Sequence, residues 1–333
     1  MTAPRQVCVV GATGVVGREV LTALRDAGVP SEQVTALASE RSEGTEVEFG
    51  DDTLEVEKAS AESFRGAGLA LFATPAEVSR TLAPAAQAAG AWAVDASAAF
   101  RIDSKVPLLL AGFNDSAPMP AAGRVVGTPS AAVSALVLAL EPLRHAFGLA
   151  DVHVTGMLGA SSMGKAGIDE LARQTADLLS GRELEARAFP QRLAFNLVPH
   201  VGDFDGPWSA EERNWSAECA RLWKNGEAPP VRATALFAPV FYGAYLSVAV
   251  RLDKRATLEE VRSVWKAARA LKLLDVPAER VYPMPMLVTA DPTVHVGRAR
   301  VENDWLYFIA AVDNAGRAAH NLVQIGQALL AKV

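Results

Sequence analysis

The chain has 333 residues, half of them hydrophobic, a length typical of two domains with sizeable cores. A net charge of −6 without a basic cluster argues against nucleic acid as a partner, and the absence of a run of about twenty apolar residues argues against a membrane span. Two cysteines, Cys8 and Cys219, and a first strand that starts too early for a signal peptide predict a cytoplasmic protein without disulfides.

The first predicted element is a buried strand over residues 7–10, followed by a glycine turn and an amphipathic helix over 18–27. This order is typical of a dinucleotide cradle. Gly11 permits the tight turn, Gly14 lets backbone N–H groups approach a pyrophosphate, and Gly17 lets helix and strand pack closely. We predict cofactor contacts from Gly11, Thr13, Gly14, Val15, Val16 and Gly17.

A second strand is predicted over 34–38, and the residues after it indicate which cofactor binds. Glu40 could bind the ribose hydroxyls of NAD. Arg41 suits a 2′-phosphate better, because a guanidinium pairs bidentately with phosphate oxygens, and Ser39 and Ser42 flank it with hydroxyls. The pattern favours NADP and leaves NAD as the alternative.

The remaining elements predict two domains. Strands over 69–73, 92–95 and 125–127 alternate with helices over 79–89 and 131–143, which indicates a doubly wound parallel, Rossmann-like α/β sheet. Later strands are predicted over 151–159, within 231–252 and over 305–313, with helices over 165–179, 257–271 and 318–332. We expect a cofactor domain over 1–128 plus 314–333, and an α+β domain with a mainly antiparallel sheet over 129–313. The spacing of Trp208, Trp215 and Trp223 predicts one face of a helix.

Several motifs occur in the order found in one enzyme family: the glycine turn at 11–17, then the segments 38–42, 95–101, 161–167, 238–243, 313–314 and 321–325. Through them the chain resembles the aspartate-semialdehyde dehydrogenases along nearly its whole length. The resemblance implies an NADP-dependent homodimer whose second domain supplies substrate contacts and the dimer interface. It also implies cofactor contacts from Thr74 and Asn321, a phosphate contact from Arg101 and an amine contact from Glu211.

The resemblance fails at the positions that perform the family's chemistry, which reduces an acyl phosphate to an aldehyde through a cysteine thioester. The nucleophilic cysteine corresponds to Ala131 and the basic histidine to Ala244. Leu158 stands for an active-site Gln, Phe237 for a substrate-binding Arg and Asn214 for a phosphate-binding Lys. A methyl group can neither attack a carbonyl nor transfer a proton, so we predict that the thiol chemistry is lost.

This departure is similar to that of the Usg-type paralogues within the family, whose pattern the segments 192–199 and 238–243 also resemble. We predict an NADP-binding homodimer without thiol chemistry; the small molecule that binds between its domains is not defined by the sequence. The alternative is an active NADP-dependent oxidoreductase that uses another nucleophile or proton donor, for which Ser130, Tyr242 and Tyr245 are the candidates. No histidines or carboxylates stand at metal-ligand spacing, so no metal is expected.

Overall fold

The computed structural model describes residues 6–115, 123–183, 185–224 and 228–331. The chain divides into two compact units, Met1–Ser130 with Ala318–Val333, and Ala131–Arg317. The chain therefore leaves the first unit once and returns to it near its carboxyl end. Within the described ranges, no helix combines the length and the apolar character needed to cross a membrane.

The first unit is built on a seven-stranded sheet. Its strands are β1 (Gln6–Val10), β2 (Val34–Ala38), β3 (Glu46–Phe49), β4 (Asp52–Lys58), β5 (Ala67–Phe72), β6 (Trp92–Asp95) and β7 (Val125–Gly127). The order is β3-β4-β2-β1-β5-β6-β7, and all neighbours are parallel except β3 and β4. Helices α1 (Val15–Asp26) and α2 (Ala76–Ala88) follow β1 and β5. The predicted Rossmann-like sheet is confirmed, and its strand order reverses between β1 and β5, where such sheets bind their ligands.

The core of this unit explains why the first strand and helix form. Four of the five residues of β1 are buried, as expected for a central parallel strand covered on both faces. Helix α1 is amphipathic and turns Val20, Leu21 and Leu24 inward, where they join a cluster of buried side chains that includes Ile325 near the carboxyl end of the chain. This packing holds the glycine turn between two buried elements.

Strands β3 and β4 were not predicted from the sequence. Val47 and Phe49 are buried while Glu46 and Glu48 are exposed, the alternation of a half-buried strand. The two strands form an antiparallel hairpin whose turn contains Gly50 with a φ of 68°. This alternation covers only four residues among many acidic ones, so it is too short to predict a strand.

The second unit contains a six-stranded sheet and a small hairpin. The strands are β8 (Leu149–Leu158), β9 (Phe204–Asp205), β10 (Trp208–Ser209), β11 (Val231–Phe237), β12 (Ala244–Leu252), β13 (Leu271–Leu273), β14 (Val294–Glu302) and β15 (Trp305–Val312), and the helices are α3 (Ala131–Phe147), α4 (Gly164–Leu179), α5 (Ala210–Trp223), α6 (Leu258–Ala267) and α7 (Pro285–Val288). Helix α8 (Asn314–Leu330) begins in this unit and belongs to the first unit from Ala318 onward. The sheet order is β11-β8-β12-β15-β14-β13, and only the two outermost pairs, β11–β8 and β14–β13, are parallel. The sheet is mixed, and because its three inner pairs are antiparallel the predicted mainly antiparallel sheet is confirmed.

One face of this sheet is covered by helices. Along β12 the residues Leu246, Val248 and Val250 are buried, and the side chains between them are more exposed. On the covered side, Trp265 of α6 packs edge-on against Phe308 with ring centroids 5.1 Å apart, and its indole N–H donates to the α3 backbone. The other face carries polar and aromatic side chains.

Three predicted elements differ from the structure. The strand-rich segment over 231–252 is two strands, β11 and β12, separated by a loop over 238–243. The helix predicted over 257–271 ends at Ala267, because Leu271 begins β13. The last helix was predicted over 318–332 and instead begins at Asn314; its predicted last residue, Lys332, lies outside the described residues, as do residues 1–5.

The predicted tryptophan stripe is also wrong in part. Trp215 and Trp223 lie in α5 and are buried, as a core-facing stripe requires. Trp208 lies before the helix, in β10, and is 52% exposed. Ser209 separates it from the helix, because its hydroxyl accepts from Glu212 N and caps α5 in a capping box.

Candidate cofactor cradle and active-site positions

The glycine turn follows β1 in a conformation that only glycine adopts easily. Gly11 has a φ of 89°, and its N–H donates to Leu37 O over 2.7 Å. A Cβ at this residue would lie 2.4 Å from Ala73 O, the backbone of the segment after β5. The turn therefore lies against the backbone on both sides of β1, at the point where the strand order reverses.

The next two glycines fix the start of α1. Gly14 is the N-cap of α1 and has an extended conformation. No side chain caps the helix, so no capping side chain competes with a ligand for its first backbone N–H groups. A Cβ on Gly17 would lie 2.0 Å from Gly11 O. Thr13 accepts a hydrogen bond from Arg18 through its carbonyl, while Val15 and Val16 form the first turn. The geometry fits a pyrophosphate that accepts backbone N–H bonds.

The segment after β2 forms a short 3₁₀ turn. Ser39 precedes this turn in extended conformation, and Glu40–Ser42 make the turn itself. Arg41 is exposed, and Ser42 is half-buried. Glu40 is paired with Lys58, whose Nζ lies 3.1 Å from its Oε1. Sequence reasoning did not identify Lys58, because the strand it ends was not predicted.

Thr74 and Asn321 are held by the protein itself. Thr74 Oγ1 lies 2.8 Å from Ser79 Oγ at the start of α2. Asn321 is buried, accepts from Ala111 N over 2.7 Å and donates to Leu109 O over 3.3 Å. These bonds give Asn321 a structural role, and the cofactor contacts of both residues stay predictions.

Arg101, the predicted phosphate ligand, lies in the first unit. Its guanidinium donates to Thr128 O over 3.3 Å and to Ala96 O. Two backbone carbonyls orient the side chain, and its charge also acts on Asp95, whose pKa is raised by burial and partly lowered by hydrogen bonds and by Arg101. The phosphate contact of Arg101 stays a prediction.

Three of the changed positions lie in one row of the second unit. Phe237 on β11 is opposite Leu158 on β8, and Leu158 is opposite Ala244 on β12. All three are buried on the helix-covered side of the sheet. In the sequence, Leu158 is 79 residues from Phe237 and 86 residues from Ala244, and only strand pairing brings the three together.

The row is filled by apolar packing. The ring of Phe237 stacks edge-on with Phe189, centroids 5.0 Å apart, and Leu158 is 6% exposed. At the three positions predicted to correspond to an amide, a guanidinium and an imidazole, the chain presents an aliphatic chain, a phenyl ring and a methyl group. Such a row offers no proton donor or acceptor.

Residue 131 begins α3, the kind of position where a helix dipole lowers a thiol pKa. Here it is alanine, and the two cysteines of the chain are elsewhere. Cys8 lies in β1, where burial raises the pKa of its thiol to about 11; burial also raises the pKa of the Cys219 thiol in α5. Both cysteines are buried, so neither supplies a thiolate to an exposed site. Ser130, the candidate substitute nucleophile, is buried as well.

The predicted amine ligand and the tyrosine candidates are placed by α5 and β12. Glu211, in the first turn of α5, accepts from the indole N–H of Trp215 over 2.7 Å. Asn214 lies on the same helix. Tyr245 is adjacent to Ala244 in β12, so its side chain lies on the opposite face of the sheet. This placement removes Tyr245 as a proton donor at the histidine position and leaves Tyr242, which is 40% exposed in the preceding loop.

The chain is similar to known proteins along nearly its whole length. Residues 6–118 match the family model "Semialdehyde dehydrogenase, NAD binding domain", and residues 140–316 match "Semialdehyde dehydrogenase, dimerisation domain". The chain is 34% identical to an aspartate-semialdehyde dehydrogenase of Bacillus subtilis, covering 97% of this chain and 96% of that protein. It is also 34% identical to a USG-1 protein homolog of Pseudomonas aeruginosa, with 99% of each covered.

A solved structure also matches the chain over nearly its whole length. The aspartate semialdehyde dehydrogenase II of Vibrio cholerae, complexed with ASA, superimposes with a TM-score of 0.93 at 31% identity and 99% coverage of both chains.

Among the described residues, no three histidine, cysteine or acidic side chains form a group that could hold a metal ion.

Proposed function

The chain belongs to the semialdehyde dehydrogenase family, and from this premise we propose that it is an NADP-binding, dimeric member without the thiol chemistry of aspartate-semialdehyde dehydrogenases. The observation that carries the proposal is the apolar row of Phe237, Leu158 and Ala244 together with alanine at position 131.

The cofactor would be held at the carboxyl edge of the first sheet. Gly11 and Gly17 let the turn pack against neighbouring backbone, since a Cβ on either would collide with it, and Gly14 would let the turn approach the pyrophosphate. Arg41, with the hydroxyls of Ser39 and Ser42, would bind the 2′-phosphate, because a guanidinium forms bidentate bonds with phosphate oxygens. When bound, the cofactor supplies a hydride donor or acceptor.

The reaction site lacks the groups that a thioester route requires. That route needs a thiolate to attack the carbonyl and a base to move its proton, and the two act as a unit. Position 131 carries a methyl group, as does position 244. Arg101 and Glu211 remain as charged side chains that could bind a small anionic or amino-bearing ligand. We therefore propose ligand binding without acyl transfer.

The dimer would form through the uncovered face of the second sheet. This face holds a groove that includes Thr155, Ser247, Tyr307 and the exposed Trp208. Its aromatic side chains and Arg232 are of the residue types that are enriched at interfaces. In the described part of the second unit, the helices pack on the other face. Light scattering on purified protein tests the assembly: a monomer at micromolar concentration contradicts this part of the proposal.

The central experiment combines a binding and a turnover measurement. NADPH fluorescence titration of the purified protein should give a saturable change with a Kd in the micromolar range, roughly what a nucleotide site of this type provides. An assay with aspartate semialdehyde, phosphate and NADP should show no reduction above background. Turnover close to that of ordinary family enzymes overturns the loss of thiol chemistry, and absence of any NADPH response overturns the cofactor site.

A further inference from the structure

Strand β4 ends beside the turn that is proposed to bind the adenosine end of the cofactor. In the parallel pair β2–β4, Ala38 lies opposite Lys58, and Ala59 N donates to Ala38 O over 2.8 Å. The turn is tied to the same strand, because Gly44 N donates to Val56 O over 2.9 Å. Lys58 therefore has a fixed backbone position at the carboxyl edge of the sheet, the edge at which doubly wound sheets bind their ligands.

The side chain of Lys58 points to the residue that decides between NAD and NADP in sheets of this type. Its ammonium lies 3.1 Å from Glu40, and the two side chains are 48% and 76% exposed. Glu40 follows β2 at the place where a carboxylate binds the two ribose hydroxyls of NAD. An unpaired carboxylate there would repel a 2′-phosphate.

The charge distribution around Lys58 is unusual. Between Arg41 and Arg65 the chain has eight acidic residues and one basic residue, Lys58. Most of the acidic side chains extend from β3 and β4 into solvent. The single cation of this segment stands at the end of β4 that adjoins the turn, so it locally offsets an acidic surface that would otherwise repel a phosphate.

We propose that Lys58 is a specificity-determining residue for NADP. It binds the 2′-phosphate together with Arg41, and its pairing with Glu40 suppresses the preference for NAD. The ammonium of Lys58 has three N–H donors and is 48% exposed, so it can bond a phosphate that carries nearly two charges while it keeps its bond to Glu40. This inference rests on the proposed cofactor site and names a residue that the glycine and Ser-Arg-Ser pattern did not include.

The test measures NADPH and NADH binding to wild type and variants by nicotinamide fluorescence, with thermal unfolding as a check on folding. Wild type should bind NADPH more tightly than NADH. Lys58→Ala should raise the Kd for NADPH about tenfold, since one charge-assisted bond to phosphate is lost, and leave the Kd for NADH equal or lower, since Glu40 is released from its pair. Glu40→Gln should weaken NADH binding and leave NADPH binding equal or tighter.

Two control variants separate specificity from general charge. Lys58→Arg should keep the NADPH Kd near that of wild type. Lys272→Ala removes a similarly exposed lysine that is paired with Asp291 in the second unit, and it should change neither Kd. If Lys58→Ala weakens both cofactors equally or neither, the specificity role is overturned while the proposed cofactor site stands. If wild type binds neither cofactor, the site and the inference are overturned together.

Discussion

The two units differ in the kind of group that each presents at its predicted site. In the first unit the glycine turn keeps every residue that its backbone geometry requires, and Arg41 and Arg101 keep their charges. In the second unit the row at Leu158, Phe237 and Ala244 is apolar. The comparison teaches that a cradle made of backbone follows from the fold, whereas the chemistry of a site depends on side chains that the fold does not specify.

The largest effect that tests this comparison is expected at Gly17. A Cβ there would lie 2.0 Å from Gly11 O, and neither backbone segment can move without disturbing β1 or α1. We expect Gly17→Ala to lower the free energy of unfolding by about 2–4 kcal/mol and to abolish NADPH binding. Denaturant unfolding and fluorescence titration measure both. The exposed α1 residue Thr22 provides the control, since Thr22→Ala should preserve both properties. A stable, NADPH-binding Gly17→Ala protein contradicts the backbone argument.

A second prediction concerns the apolar row. Phe237→Arg introduces the residue type predicted for an active family member, at a buried position that is packed edge-on against Phe189. We expect a loss of about 3 kcal/mol in unfolding free energy, the cost of an unpaired buried charge. Phe241 is 43% exposed, and Phe241→Arg should change stability by less than about 0.5 kcal/mol. Equal stability of the two variants would mean that the row tolerates charge.

A third prediction tests whether a charged pair in the second unit serves stability. Burial raises the pKa of Asp291, but hydrogen bonds from Thr293 and His295 outweigh it and bring the pKa to about 2. A lowered folded-state pKa contributes stability that is present above about pH 4 and is lost as the pH falls toward 2. With allowance for solvent screening, Asp291→Asn should cost about 1 kcal/mol at pH 7.

The measurement for Asp291 is urea unfolding across the acid range. The difference between wild type and Asp291→Asn should shrink between about pH 4 and pH 2, where the wild-type carboxylate becomes protonated. A difference that stays constant with pH would show that the stabilisation comes from packing.

The smallest effect is expected from partial repair of the active site. Ala131→Cys with Ala244→His restores a thiol at the start of α3 and an imidazole on β12, but Leu158, Phe237 and Asn214 remain. We expect turnover of aspartate semialdehyde to stay at background, because groups that act as a unit contribute little without their partners. The same assay with the unaltered protein is the reference. Recovery to within about a hundredfold of an ordinary family enzyme would show that the other three positions matter less than the row implies.

Sequence reasoning predicted most of the first unit because its signals are local. A buried β-branched run, three glycines and an amphipathic helix each specify their own conformation. The hairpin β3–β4 was missed because burial of Val47 and Phe49 depends on packing against the rest of the sheet. Lys58 was missed with it. The helix predicted over 257–271 was too long because β13 pairs with β14, a strand that was not predicted.

The sequence by itself determined the family, the glycine turn and the identity of the residues at 131, 158, 237 and 244, since these are properties of residue type and spacing. Only the tertiary structure decided that three of the altered residues are neighbours in one buried row, that Tyr245 faces away from Ala244, and that Lys58 pairs with Glu40. The physical reason is that strand register and pairing between distant segments fix which side chains meet, and the chain's local preferences do not contain that information.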